Sequence, residues 1–408
     1  MNMLLIIVMI FFWILLMYYS LLTISGLYSR IRKKEKTALD HYPSVAVLIP
    51  AHNEEVVIEH TIRAMLRLEY PGELNIFVLD DQSQDNTASI IQSFSQIFSR
   101  LHYIPVPPGI PKGKSRVLNY GLQISHSDYF IVYDADNEPE PDAVTKLVEA
   151  AETTPNSAGA VGYVKTKNFY KNILTRMIGL EFQVFQLLMQ SGRWQLMKVG
   201  SLAGTNMLVR RSVIEEVGYY DVHALAEDAE LTVRITALGY LLPVEPDSRT
   251  WEQEPEKLGV LIKQRTRWLT GNLYLLEKSF TNFSHWKGKT FYLTLQHLLT
   301  YLLFVILLFF SDIFFVISLL GMELPPMSAP LLMLWFMSYI VYSAQLLSAV
   351  VVDRNLTLGN VVLLLIMYFT YAQLFIILLI RALTLYIFSR IRGKTIGWDK
   401  TRRFKGIG

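Results

Sequence analysis

The chain has 408 residues, 52% of them apolar, and a formal net charge of +3. The apolar content is high for a soluble protein, and the small net charge gives no reason to expect a nucleic-acid partner. Because the chain has no cysteine, disulfides, zinc–thiolate centres and thiol nucleophiles are excluded, and its eight histidines show no ligand spacing.

The first predicted element is a membrane span over residues 4–23, which approaches the ~20 residues that a spanning helix needs. A signal peptide is disfavoured, because no charged region precedes the run and no small-residue cleavage site follows it. The basic flank over residues 29–36 instead places the next domain in the cytoplasm. We therefore expect a multi-pass protein of the cell membrane with a cytoplasmic domain.

The pattern that follows predicts strands alternating with helices. All-apolar or β-rich runs over residues 45–49, 75–79 and 128–133 indicate buried strands, and helical patterns begin at Glu54 and Asp85 and cover 112–123 and 138–151. This alternation predicts a parallel, doubly wound α/β sheet. The later part, 158–242, is less regular. Its run 172–189 is amphipathic and fits either a helix against the membrane or a packed surface helix.

Two acidic clusters follow predicted strands. Asp80 and Asp81 end one strand, and Asp134 and Asp136 flank Ala135 after another. Carboxylates at such strand ends point into the crevice where α/β sheets bind ligands. Asp80 and Asp81 can accept hydrogen bonds from a base or ribose. Asp134 and Asp136 can hold Mg²⁺ or Mn²⁺ against a diphosphate, with helix capping as the alternative.

Two further groups carry charge beside predicted helix starts. Lys114 lies in a Gly-Lys-Ser string, but three residues separate Gly109 from Gly113 where a Walker A loop has four, so we reject an ATPase. Lys114 can still offer a cation to a phosphate, or be a solvated helix start. Glu227 and Asp228 open a helical pattern, where Asp228 is either a cap or a general base.

The string 264–268, Gln-Arg-Thr-Arg-Trp, is the rarest in the chain. Arginine forks grip phosphate oxygens in two-point geometry, and tryptophan offers a flat face to a sugar or base. A basic amphipathic helix at the membrane surface is a compatible alternative. Apolar runs over 292–320, 331–352 and 361–380 predict three more spans. Three spans would leave the basic tail outside, so one run is re-entrant or a helical pair.

Together these strings resemble the processive, membrane-bound family 2 glycosyltransferases, which include bacterial cellulose, hyaluronan and poly-N-acetylglucosamine synthases. The signature of that family is a spaced Asp, DxD, ED and QxxRW set. It matches here, in order, at Asp81, Asp134/Asp136, Glu227–Asp228 and Gln264/Arg267/Trp268. Gln82 departs from the glycine that the family often has there, and Ala226 from its usual threonine. The chain length and single leading span resemble the poly-N-acetylglucosamine synthases most.

The resemblance implies a GT-A (Rossmann-like) domain with interfacial and transmembrane helices, and it implies a role for each site residue. Asp228 would be the general base and Asp134 and Asp136 would bind Mg²⁺ or Mn²⁺. The UDP-sugar donor would be bound by Asn53, Glu54, Asp80, Asp81, Lys114 and Asp134. The acceptor sugar and the diphosphate would meet Glu227, Gln264, Arg265, Arg267 and Trp268.

We therefore expect a transmembrane helix over residues 1–28, a GT-A domain over 29–254, interfacial helices over 255–289, transmembrane helices over 290–388 and a basic tail over 389–408. The expected activity is processive, inverting polymerisation of an exopolysaccharide, with export across the membrane. The expected partners are the UDP-sugar, the growing polysaccharide, membrane lipid and a small membrane accessory subunit.

Two other functions stay open. A non-processive family 2 enzyme would add one sugar to a lipid or glycan, although that class often lacks the Gln-x-x-Arg-Trp string. An inactive scaffold or a transporter is disfavoured, because all the acids are retained and few ionisable residues fall near the spans (Asp312, Glu323 and Arg381).

Overall fold

The computed structural model describes residues 2–32, 38–299, 304–322 and 328–392. Eight strands form one sheet. They are β1 (Val45–Ala51), β2 (Leu74–Asp80), β3 (Leu101–Pro105), β4 (Tyr129–Val132), β5 (Glu138–Pro139), β6 (Gly159–Thr166), β7 (Met207–Arg210) and β8 (Val244–Glu252).

The helices divide between those that cover the sheet and those that follow it in the chain. The first set is α2 (Ile58–Met65), α3 (Thr87–Ser95), α4 (Lys114–Ile124), α5 (Ala143–Glu152), α6 (Ile173–Phe182), α7 (Ser191–Met197), α8 (Arg211–Glu216) and α9 (Glu227–Ala237). The second set, with the leading helix, is α1 (Asn2–Ile31), α10 (Leu258–Thr281), α11 (Gly288–Leu298), α12 (Phe304–Leu319), α13 (Ser328–Val352), α14 (Leu358–Met367) and α15 (Tyr371–Ile391).

The sheet is mixed, with strand order β3-β2-β1-β4-β7-β6-β8-β5. The four strands β3, β2, β1 and β4 run parallel, as the alternating pattern predicts, and β7 then pairs antiparallel with β4. The central strands are buried on both faces, by α2 and α5 on one side and by α4 and α9 on the other. Each fully buried aliphatic side chain contributes about 1.5–3 kcal/mol, so this sheet is the core that fixes the strand ends.

Two predicted helices differ from the structure. The helix predicted over 138–151 begins only at Ala143, because Pro139 and Pro141 keep their neighbours extended and residues 138–139 pair with β8. The run 172–189 begins as α6, which Asn172 caps through its side chain. It then continues as a π-helical segment, Gln183–Gln190, into α7.

Three described helices are long and apolar enough to cross a membrane: Met9–Ile31, Leu332–Val352 and Tyr371–Ile391. The span predicted over 361–380 is wrong, because α14 ends at Met367 and α15 begins at Tyr371. The hydropathy of the sequence does not reveal this break, because the turn between α14 and α15 contains the aromatic residues Tyr368 and Phe369. Tyr368 and Phe369 pack there against Trp335.

The ends of these helices contact the sheet domain and its flanking helix α10. Asp353, just after α13, accepts a hydrogen bond of 3.1 Å from Lys165, and Asn360 in α14 accepts one of 2.7 Å from Arg176. At the end of α15, Arg390 pairs with Glu277 of α10 at 2.7 Å. Both ends of the α14–α15 pair therefore contact helices that belong to the sheet domain or directly follow it. The basic residues after Arg392 lie outside the described residues.

The close packing of α1 against the π-helical segment and α7 gives a test of the fold. A Cβ at Gly26 would lie 2.4 Å from the Leu188 carbonyl oxygen. Gly26→Ala should therefore destabilise the protein by about 1–3 kcal/mol. Gly259→Ala is the control, because nothing lies within 4 Å of that site and a helical alanine is favoured over glycine. Thermal unfolding in detergent measures both, and an unchanged melting temperature in Gly26→Ala would contradict this packing.

Candidate active site

A cavity of about 1740 Å³ opens beside the carboxyl ends of β1, β2 and β4 and reaches the apolar helices. Of the residues that the sequence motifs predict, the cavity wall contains Glu54, Asp81, Lys114, Asp134, Glu227, Asp228, Gln264, Arg265, Arg267 and Trp268. At its other end the wall includes Tyr19 of α1, Tyr342 and Gln345 of α13, and Tyr371 of α15.

The Lys114 ammonium group lies at the centre of the acidic part of this cavity. Its Nζ is 2.6 Å from Asp134 Oδ1, 3.3 Å from Glu227 Oε1 and 2.7 Å from the Gly204 carbonyl oxygen. Burial lowers the pKa of Lys114, but Asp134, Glu227 and Asp228 together raise it above its ordinary value, so the group stays charged. The site thus surrounds one cation with oxygen atoms from three separate chain segments.

Asp228 lies in the first turn of α9, whose N-cap is Ala226 and has no side-chain cap. A Cβ at Gly204 would be 3.6 Å from Asp228 Oδ2, so the carboxylate faces the same segment as Lys114. Burial, followed by the Glu227 charge, raises the pKa of Asp228 to about 7. A carboxyl group with that pKa can accept a proton near neutral pH, as a general base must.

The two aspartates after β2 have different surroundings. Asp81 lies on the cavity wall and pairs with Arg116 of α4. Asp80 is 4% exposed and is not part of the wall. Its carboxylate instead accepts hydrogen bonds of 3.1 Å from the Ser83 backbone N–H and from the Tyr103 hydroxyl. Asp80 therefore holds the turn that presents Asp81.

Asn53 and Asp136 also lie outside the cavity wall. The Asn53 side chain accepts a hydrogen bond of 2.7 Å from the Gln84 backbone N–H, which joins the loops after β1 and β2. Asp136 is 3% exposed, whereas Asp134, two residues earlier, faces the cavity. The predicted pair of metal ligands therefore presents one carboxylate to the cavity.

The Gln-x-x-Arg-Trp string lies on α10, with Gln264, Arg267 and Trp268 all on the cavity wall. Gln264 Oε1 is buried and accepts no hydrogen bond from the described residues. Arg265 is 3% exposed, and its guanidinium donates to Glu181 at 2.7 Å. The string therefore joins the acidic end of the cavity to the apolar helices.

Sequence reasoning missed several residues of the site: Gly204, Thr205, Arg116, Glu181 and Tyr371. Thr205 Oγ1 accepts a hydrogen bond of 3.2 Å from the Asp134 backbone N–H, and Gly204 accepts one from Lys114. These residues precede β7, a strand that the irregular pattern over 158–242 did not indicate. The Gly-Lys-Ser string could have indicated Arg116, because the string begins α4, the helix that carries both Lys114 and Arg116.

The comparisons with known proteins agree with this geometry. A sequence profile described as "Glycosyl transferase family 2" matches residues 46–218. The chain is 38% identical over 381 residues to a probable glycosyltransferase, YdaM, of Bacillus subtilis (strain 168), covering 92% of this chain and 91% of that protein.

Two further similarities concern a synthase and a solved structure. The chain is 28% identical over 261 residues to the poly-beta-1,6-N-acetyl-D-glucosamine synthase of Staphylococcus aureus (strain COL), 64% of this chain and 62% of that protein. A mannosyltransferase from Pyrobaculum calidifontis, solved in complex with GDP-Man and Mn²⁺, superposes with a TM-score of 0.57 at 18% identity. The superposition covers 94% of this chain and 99% of that one. This similarity shows the GT-A fold.

Gln82 tests the turn beside Asp81, because it has a left-handed backbone with φ of 58°. That conformation costs a non-glycine residue about 1–2 kcal/mol, a cost that glycine avoids. Glycine, however, loses about 0.5–1 kcal/mol more in backbone entropy on folding, which offsets part of this gain. Gln82→Gly should therefore raise the free energy of unfolding by about 0–1.5 kcal/mol, whereas the β-branched Gln82→Val should be clearly destabilising. Gln84→Val, at an exposed position without positive φ, is the control. Equal melting temperatures for Gln82→Gly and Gln82→Val would contradict the assigned turn.

Proposed function

We propose a polymerising activity for this chain, which belongs to glycosyl transferase family 2 and is a glycosyltransferase. In the proposed reaction it transfers sugar units from a UDP-sugar to the end of a growing exopolysaccharide of the poly-N-acetylglucosamine type. The polymer stays bound between additions and passes between the apolar helices to the other side of the membrane.

The observation that carries this proposal is the continuity of one cavity. Its wall includes the acidic site around Lys114, then Trp268, then side chains of α1, α13 and α15. An acceptor that lies in such a cavity can move away from the donor site by one sugar unit without leaving the protein. The Staphylococcus aureus relative, named for a polymer product, supports the same reaction class.

Binding of the donor requires groups for a nucleoside and for a diphosphate. In the proposal Asp81, oriented by Arg116 and Asp80, accepts hydrogen bonds from the nucleoside, with Asn53 and Glu54 beside it. Lys114 turns from the carboxylates to the diphosphate, since an ammonium group attracts phosphate oxygens as a point charge. The GDP-Man in the solved relative supports a nucleotide-sugar donor.

The residues present fit a divalent cation that is shared with the substrate. Mg²⁺ is commonly bound by one or two carboxylates together with substrate phosphates, and Asp134 supplies such a carboxylate at the cavity wall. Asp136, buried behind it, would orient Asp134 or join it as a ligand. When bound, Mg²⁺ or Mn²⁺ would offset the negative charge that develops on the departing diphosphate.

The proposed chemistry is a single displacement. Asp228 removes the proton from the acceptor hydroxyl, whose oxygen attacks the anomeric carbon while the bond to the diphosphate breaks, so the configuration inverts. Glu227 and Arg267 line the region where acceptor and diphosphate meet. Gln264 offers an amide whose oxygen accepts no hydrogen bond within the part of the chain that the structure describes. Trp268 supplies a flat face for the acceptor sugar.

The raised pKa of Asp228 predicts the pH dependence of transfer. Because only the deprotonated carboxylate can act as base, kcat/KM, which reports the pKa of the free enzyme, should be half-maximal near pH 7 and fall about tenfold per pH unit below it. Asp228→Asn should abolish transfer while UDP still binds. Glu227→Gln should move the midpoint to lower pH, because the Glu227 charge helps to raise the pKa of Asp228. A midpoint unaffected by Glu227→Gln, or a near-normal rate in Asp228→Asn, would remove Asp228 from this role.

Product length tests the polymerising activity itself. Purified protein supplied with Mg²⁺ or Mn²⁺ should turn one member of a panel of UDP-sugars into long chains. The chains should stay long when acceptor is in large excess over enzyme, because each acceptor is retained. Size-resolved analysis of the products together with released UDP makes the measurement. Products that stop after one addition would contradict polymerisation and favour transfer of a single sugar to a lipid or glycan.

A further inference from the structure

Glu181, at the end of α6, joins three parts of the molecule through one carboxylate. Its Oε2 accepts a hydrogen bond of 2.7 Å from Arg265 of α10 and one of 2.6 Å from the Tyr371 hydroxyl at the start of α15. Glu181, Arg265 and Tyr371 all line the cavity. The sheet domain, the motif helix and an apolar helix therefore meet at this carboxylate.

The same group of residues holds the Trp268 ring. The Arg265 guanidinium lies over that ring, 4.1 Å from its centroid, and 5.1 Å from the centroid of Phe182. The Phe182 and Trp268 rings are nearly parallel, with an interplanar angle of 17° and centroids 6.2 Å apart. Arg265 is 3% exposed, so its charge is compensated by Glu181 and by ring faces rather than by water. The orientation of Trp268 thus depends on where Glu181 holds Arg265.

The backbone next to Glu181 is also unusual. The π-helical segment Gln183–Gln190 begins two residues after it, and such segments are frequent at functional sites. Phe182 and Trp268 pack with Tyr371 and with Leu346 of α13 in one apolar cluster. Trp268 therefore lies at the boundary between the sheet domain and the apolar helices, where an acceptor would leave the donor site.

We propose that Glu181 is a positioning residue that fixes Trp268 through Arg265 and so determines how long the acceptor stays bound between additions. This inference rests on the proposed polymerising function. Glu181 itself takes no part in proton transfer. Its carboxylate sets the position of the guanidinium, the guanidinium sets the ring, and the ring retains the terminal sugar of the acceptor.

Glu181→Gln keeps the size of the side chain and removes its charge. The average product should become about tenfold shorter, the change in dissociation expected when the hydrogen bond from Arg265 loses its charged acceptor. Binding of a short β-1,6-linked N-acetylglucosamine oligomer, measured by calorimetry on the full-length protein in detergent, should weaken by a similar factor. The dissociation constant for UDP should stay within about twofold, because Asp81, Lys114 and Asp134 do not contact Glu181.

Two other variants keep the test decisive. Tyr371→Phe removes one hydrogen bond to Glu181 and leaves the Glu181–Arg265 pair, so its products should be only a few-fold shorter. This variant replaces Glu181→Gln in the test if Glu181→Gln does not fold. Glu277→Gln is the matched control, because it breaks the Arg390 ion pair at the far end of the same two helices. Its products should keep the normal length.

The outcomes separate this inference from the function on which it rests. A normal length distribution from Glu181→Gln, with a polymerising wild type, would overturn the positioning role alone. Equal shortening in Glu277→Gln and Glu181→Gln would also overturn it, because the effect would then reflect a general loosening of α10 and α15. Single additions by the wild type would instead contradict the proposed polymerisation.

Discussion

The site depends on one buried ammonium group among carboxylates. Lys114 bonds to oxygens that come from the segment after β4, from the loop before β7 and from the first turn of α9. Without that cation, Asp134, Glu227 and Asp228 would repel one another in a cavity that screens their charges less than bulk water does. The pKa of Asp228 lies near neutrality because burial, followed by the Glu227 charge, raises it while the Lys114 charge lowers it. Lys114 therefore both holds the three chain segments together and influences the pKa of Asp228.

The second constraint is the position of α10 between the sheet domain and the apolar helices. The Gln-x-x-Arg-Trp motif of α10 lines the same cavity as the acidic site. Arg265 contacts Glu181 of α6, and Trp268 packs in a cluster that includes Leu346 of α13 and Tyr371 of α15. α15 packs along α10 through Leu269, Leu273, Leu378 and Ala382, and Arg390 pairs with Glu277 at the end of this contact. In this glycosyltransferase the cavity that contains the acidic site is therefore lined partly by helices that could span a membrane.

The parts of the fold that sequence predicts are those with an unambiguous physical pattern. β1 and β4 are all-apolar because both faces are covered, and β2 is apolar apart from Asn75 and its last residue, Asp80. Asp81 and Asp134, which come directly after β2 and shortly after β4, mark the carboxyl edge of the sheet. β8 contains charged residues at alternate positions, and β7 pairs antiparallel after an irregular segment, so neither gave a clear signal. The break before Tyr371 stayed hidden because an aromatic turn has the same hydropathy as a helix.

The sequence of a motif also does not determine what each of its residues does in the structure. Asp80 and Asp81 are adjacent and chemically equal, yet one holds a turn and the other lines the cavity, and only the path of the backbone decides which. The same applies to Asp136 and Asp134. Glu181 could not be found from the sequence, because its importance arises from two partners that lie 84 and 190 residues away.

The most direct test of the central claim is an electron cryo-microscopy map of the protein in lipid nanodiscs, prepared during turnover with its UDP-sugar. We predict continuous glycan density that starts beside Asp228, crosses the face of Trp268 and continues between α13 and α15 toward Tyr342 and Gln345. Glycan that leaves the Asp228 site in another direction, with lipid filling the space next to Tyr342, would contradict this prediction.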